Sequence, residues 1–67
     1  MTTLTVNGAS TDIGDAQTVA DVVVQMGLAG RKIAVEKNGE IVPRSRYAAT
    51  AVCAGDQLEI VGAVGGG

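Results

Sequence analysis

Histidine is absent from this sequence, and cysteine, proline and aromatic residues come to one each: Cys53, Pro43 and Tyr47. Each shortage closes a class of function. Without histidine, the commonest general base near neutral pH is missing. With a single cysteine besides, there is no Cys/His set to hold a metal. One thiol cannot form an intrachain disulfide, so cysteine usage gives no reason to expect an oxidising compartment. Five Lys and Arg stand against seven Asp and Glu, for a net charge of −2, and this lacks the basic footprint of a nucleic-acid binder. No apolar run approaches the roughly 20 residues needed to span a bilayer, and no charged segment leads into an apolar one in the manner of a signal peptide. The glycine-rich phosphate loop G-x-x-x-x-G-K-[ST] is missing as well. The expectation is a cytoplasmic protein with no metal, no bound cofactor, no catalytic residues of its own, and neither nucleic acid nor membrane as a partner.

What is present is a small aliphatic domain. Sixty-seven residues with 46% hydrophobic content exceed what intrinsic disorder allows. A chain this short buries only about 60% of its unfolded surface, which leaves room for one core and no deep cleft.

Thr3-Leu4-Thr5-Val6 alternates polar and apolar, the pattern of a half-buried strand. Asn7-Gly8 follows, the dipeptide favoured in type I′ hairpins, and predicts a return strand from Ala9 to Ile13. Gly14-Asp15 turns the chain. Thr18 and Asp21 match the capping box. Val19, Val22, Val23 and Met26 then fall at i, i+3, i+4 and i+7, one apolar stripe. Gly27 sits where a helix-ending glycine belongs, with Leu28 as its apolar contact, so a helix is predicted over about 19–27. Ile33 to Lys37 forms the next strand with Ile33 and Val35 inward. Asn38-Gly39 is a second hairpin signal, Ile41-Val42 a brief return, and Pro43 a stop. Arg44 to Ala54 reads as irregular with a short 3₁₀ turn. Gly55-Asp56 turns again, and Gln57 to Val61 is the last strand, with Leu58 and Ile60 inward. The order predicts an α+β fold: a mixed sheet of four to five strands with one helix packed on one face. Glu59, Val61 and Ala34 would lie on the uncovered face.

The chain closes on Val64-Gly65-Gly66-Gly67. Residues 1–63 read as the domain and 64–67 as a flexible glycine tail. Extended at roughly 3.3 Å per residue, that tail reaches about 13 Å. It suits a carboxylate that must enter a narrow cleft. On composition alone, an inert glycine-rich terminus is the favoured reading, by roughly two to one.

Three stretches resemble a known family. Ile33-Ala34-Val35-Glu36-Lys37-Asn38-Gly39-Glu40-Ile41-Val42-Pro43-Arg44-Ser45 is very similar to the "VAVE-x-NGEIVPRS" segment of the ThiS family of sulfur carriers, and Tyr47 follows where that family has an aromatic. Gly55-Asp56-Gln57-Leu58-Glu59-Ile60-Val61 is similar to its "GD-x-x-EIV" strand, and the end matches its "VGGG". The resemblance covers essentially the whole chain.

It implies the ubiquitin-like β-grasp fold and a role in thiamine biosynthesis. An E1-like adenylating enzyme would use Mg-ATP to convert the Gly67 carboxylate into an acyl-adenylate. A sulfur donor such as a cysteine desulfurase would then leave a thiocarboxylate, and thiazole synthase would receive the sulfur. Gly65, Gly66 and Gly67 would form the tail that activation requires, because Cβ atoms there would crowd the acyl carbon. Val61, Ala63 and Val64 are candidate partner contacts on a protein expected to be monomeric when free. A small-subunit-like carrier of molybdopterin synthase, a ubiquitin-like modifier and a plain interaction module are the alternatives.

Other candidates have plainer readings. Cys53 reads as an incidental small hydrophobe, and Arg44 and Arg46 as solvated. Glu36 and Glu40 flank a turn and read as solubilising charges rather than an acid–base pair.

Overall fold

The computed structural model describes residues 2–62. The expected boundary between domain and tail, and with it Ala63, Val64, Gly65, Gly66 and Gly67, lies outside the described residues.

The elements are β1 (Thr3–Val6), β2 (Ala9–Asp12), α1 (Val19–Gln25), β3 (Ile33–Lys37), β4 (Glu40–Val42), a 3₁₀ turn (Arg44–Ala49) and β5 (Gln57–Gly62). Both Asn-Gly pairs make their hairpins. Asn7 and Gly8 have φ of 52° and 83°, and Asn38 and Gly39 have 52° and 87°, the left-handed pair that a type I′ turn requires.

Helix α1 is fixed at both ends by its own sequence. The Asp21 amide donates to the Thr18 hydroxyl at 3.2 Å, and the Thr18 amide returns a bond to the Asp21 carboxylate at 3.2 Å, closing the capping box. At the other end Gly27, at φ 73°, donates to Val24 and Leu28 donates to Val23, each at 3.0 Å. This is the Schellman pairing that satisfies the last carbonyls of a helix. The motif ends the helix at Gln25, two residues before the predicted limit. Met26 becomes the cap and is 41% exposed, so it is not part of the apolar stripe. Val19, Val22 and Val23 supply that face and are buried.

The sheet runs β2-β1-β5-β3-β4. β1 and β5 are parallel, and the other neighbours are antiparallel. The core is wholly aliphatic. Leu4, Ile13, Val19, Val22, Val35 and Leu58 are each at most 2% exposed, and no buried polar residue occurs among the described residues. Ile33, expected inward, is half-buried against that core together with Leu28 and Tyr47.

Candidate functional site

Because the candidate tail continues from β5, the site begins with what holds β5. It is the central strand, laddered to β1 on one side and to β3 on the other. The β3 register runs to its end, with Ile33 opposite Gly62 and Ala34 opposite Val61.

The two Asn-Gly turns do more than reverse the chain. β1 pairs with β5 only at Thr5–Gln57 and Val6–Leu58. Beyond that point the Asn7 side chain replaces the missing backbone. Its Oδ1 accepts from the Ile60 amide at 2.7 Å, and its Nδ2 donates to the Ile60 carbonyl at 2.9 Å. From the β3 side, Asn38 Oδ1 accepts from the Gln57 amide at 2.9 Å, and Asn38 Nδ2 donates to Asp56 at 3.2 Å. Sequence reading treated both asparagines as turn residues alone. A bond between residues 53 apart leaves no local pattern, so no sequence signal pointed to the pair with Ile60.

Asp56 anchors the entry to β5. Its carboxylate accepts from the Cys53 amide at 2.8 Å, and Lys37 Nζ stands 3.9 Å away. Partial burial pushes the Asp56 carboxyl up. The Cys53 amide, the Asn38 amide group and the Lys37 charge outweigh it and hold the group below the usual carboxylate range. Cys53 itself is exposed. Its backbone serves the turn while its thiol faces solvent.

On the face that α1 does not cover, Val61 is 58% exposed and Ile41 is 75% exposed. Glu59 and Ala34 lie on that face as expected. The registers Ile41–Glu36 and Glu36–Glu59 set these three residues in one row across β4, β3 and β5. Glu36 therefore sits beside Glu59, not Glu40, which pairs with Lys37 on the opposite face. Like charges directly across a ladder are mildly destabilising. The face thus combines two exposed aliphatic side chains with a negative pair; Arg44 and Arg46 are exposed on the 3₁₀ turn, and Arg46 lines a surface hollow that also includes Ile41. Among the described residues no group of three or more Cys, Asp and Glu could hold a metal ion. No helix there is long and apolar enough to cross a membrane.

The ThiS family model matches residues 3–67. This chain belongs to the ThiS family. A sulfur carrier protein ThiS from Bacillus subtilis is 38% identical over 53 residues, covering 79% of this chain and 80% of that protein. The crystal structure of a thiamine biosynthesis protein (ThiS) from Geobacter metallireducens superposes with a TM-score of 0.81 at 34% identity, covering 97% of this chain and 99% of that one. The five-stranded mixed sheet with one helix is accordingly the ubiquitin-like β-grasp fold of ThiS proteins. A thiazole synthase from Paramagnetospirillum magneticum is 47% identical over 64 residues, and one from Magnetococcus marinus is 34% identical over 61. The chain spans only about a fifth of either protein, at 20% and 19% of their lengths.

Proposed function

We propose that this protein carries sulfur as a thiocarboxylate on Gly67 and delivers it for the thiazole ring of thiamine. The observation that carries this reading is that the family match extends through Gly67 on a chain whose final glycines follow the central, doubly braced strand. A carboxylate is a poor electrophile. An adenylating enzyme would join it to the α-phosphorus of ATP with loss of pyrophosphate, and a sulfur nucleophile would then displace AMP. Gly65 and Gly66 keep Cβ atoms away from both attacks. The chemistry belongs to the partners, and this chain supplies the acyl group and a docking surface. ATP is used by the adenylating enzyme; a cysteine desulfurase is a suitable sulfur source, its persulfide displacing AMP to give an acyl disulfide that a thiol reductant then cleaves to the thiocarboxylate; and the setting is cytoplasmic.

Val61 and Ile41, with Glu36 and Glu59 beside them, form the surface on which the adenylating enzyme docks. An apolar patch rimmed by charge marks such contacts. Thiazole synthase is the acceptor, a reading supported by the two relatives of that name in which a segment similar to this chain is part of the same polypeptide.

The test is intact mass after incubation with the adenylating enzyme, Mg-ATP and a sulfide source. A product heavier by the exchange of one oxygen for sulfur, absent when Gly67 is deleted, is expected. An unchanged mass, with the enzyme active on another carrier, refutes the proposal and leaves a plain interaction module. Adducts on lysines of other proteins would mark a modifier instead.

A further inference from the structure

On the helix side of the sheet, away from the face assigned above, a shallow groove of about 300 Å³ runs between α1, the start of β3 and the 3₁₀ turn. Val24, Leu28, Ile33 and Tyr47 line it, and Arg31 and Arg44 stand among its walls. Leu28, Ile33 and Tyr47 pack partly on the core, whereas Val24 is 64% exposed. Nothing in the helix requires a valine there, since the apolar stripe is already complete without it. Charge is segregated around this helix. Asp15 and Asp21 line the adjoining surface on the far side of Val24, while two of the five basic residues of a net-negative chain line the groove. Among the described residues neither guanidinium is held by an ion pair or a side-chain hydrogen bond; the ion pair present is Lys37–Asp56.

The groove is also next to the end of β5. Ile33, in its wall, is the cross-strand partner of Gly62, the last described residue of β5. A protein that receives the residues beyond Gly62 comes within reach of Ile33 and of the arginines around it.

We infer that the groove is a second docking site for the sulfur-accepting enzyme, and that it takes a segment presenting an aliphatic or aromatic side chain flanked by carboxylates. The inference rests on the proposed acceptor role of thiazole synthase. Its support is the joined occurrence of the two parts in relatives, the arginine rim and the position beside Gly62. The volume accommodates one or two side chains, near the small end of ligand-sized sites. The arginines supply orientation and encounter rate, which fall with ionic strength.

The experiment is a titration of the ¹⁵N-labelled full chain with unlabelled thiazole synthase from the same genome, read by amide line broadening and by Kd. Broadening at Val24, Leu28 and Ile33 is expected. Kd is expected to rise at least tenfold in Val24→Glu and in the pair Arg31→Glu with Arg44→Glu. These positions lie on the surface or groove rim, so an amide spectrum of unchanged dispersion verifies folding. Broadening confined to Val61, Ile41 and Glu59, with Kd unchanged in both variants, overturns the inference. Shifts of the groove amides with the chain's own concentration, without synthase, would name a second copy as the occupant and also overturn it. Thiocarboxylate formation by intact mass is scored separately. A normal thiocarboxylate yield with unaffected synthase binding condemns the groove alone, and a missing thiocarboxylate condemns the carrier chemistry.

Discussion

Replacing Asn7 by glycine should cost this domain a large share of its stability without disturbing the turn that Asn7 occupies. The backbone there has φ 52°, a conformation that glycine accepts without strain, and the relief roughly offsets glycine's greater unfolded-state entropy. What disappears is the pair of bonds to Ile60, at 2.7 Å and 2.9 Å. Each typically contributes about 1 kcal/mol, and leaving the partly buried Ile60 amide and carbonyl unpaired adds to the loss, so about 2–3 kcal/mol is expected. A domain of this length has roughly 3–10 kcal/mol in all. The melting temperature should therefore fall by roughly 10–20 °C.

Asn38→Gly is the internal control. It removes the same residue from the same turn type, at the same φ of 52°, but loses one bond to the β5 backbone and one to Asp56. It should cost about half as much, near 1 kcal/mol. Far-ultraviolet circular dichroism during urea and thermal unfolding measures both, and hydrogen exchange at the Ile60 amide reports the site directly. If Asn7→Gly lies within about 0.5 kcal/mol of the parent, or unfolds like Asn38→Gly with Ile60 still protected, the claim that Asn7 extends the β5 ladder is wrong.

Three further outcomes follow from the same geometry. Thr18→Ala removes the hydroxyl that caps α1 and should cost about 1 kcal/mol by urea denaturation, whereas Thr3→Ala, exposed on β1, should cost much less. Leu58→Ala empties a site 1% exposed at the centre of the sheet and should cost about 2–5 kcal/mol, enough to leave much of the protein unfolded at 37 °C; a cooperative melt near the parental temperature would contradict the core assignment. Asp21 is held below the usual carboxylate range chiefly by the Gln17 amide; burial opposes this and Thr18 adds to it, and Asp56 is lowered too. Groups depressed by folding stabilise above the unfolded pKa of about 3.9 and lose that contribution as pH falls through their lower folded values. The melting temperature should therefore decline below about pH 4, and the decline should shrink in Asp21→Asn with Asp56→Asn; an unchanged acid slope in that double variant would refute the assignment.

The features legible in the sequence were those whose causes lie within four or five residues. Thr18 and Asp21 announce a helix start because the reciprocal bonds span one turn, and Asn7-Gly8 and Asn38-Gly39 announce hairpins because the required φ values belong to those residues. The stripe Val19, Val22, Val23 was legible from spacing. Its extension to Met26 failed because the Gly27–Leu28 motif closes the helix at Gln25, and one added residue rotates a side chain from core to solvent. The parallel pairing of β1 with β5 was not legible: no turn joins them, and the register is set by packing of Leu4, Val6, Leu58 and Ile60 in three dimensions. The neighbouring of Glu36 and Glu59 follows from the antiparallel register of β3 with β5, which joins strands that no single turn connects, and was equally hidden. Val61 was placed correctly, because alternation from Leu58 and Ile60 settles its face once β5 exists.

Under the proposed function, the arrangement of β5 bears on how such a carrier would hand its terminus to more than one enzyme. Ordering a residue on binding costs about 1–2 kcal/mol of backbone entropy. Through Gly62 that cost is already met within the domain, by the β3 ladder at Ile33 and by Asn7 at Ile60. Under the proposed function, a partner that takes up Gly67 meets a chain already ordered as far as Gly62. Exchange between an adenylating enzyme and an acceptor also needs two contacts that are not both consumed by one partner. The open face of Val61 and Ile41 and the helix-side groove of Val24 and Arg31 lie on opposite sides of the sheet, and both reach the end of β5, one through Val61 and the other through Ile33. On that geometry Val61→Glu should weaken activation while leaving acceptor binding near the parental value, and Val24→Glu should do the reverse. Parallel losses in both reactions from either substitution would show that the two enzymes share one surface, and the division between faces would fall.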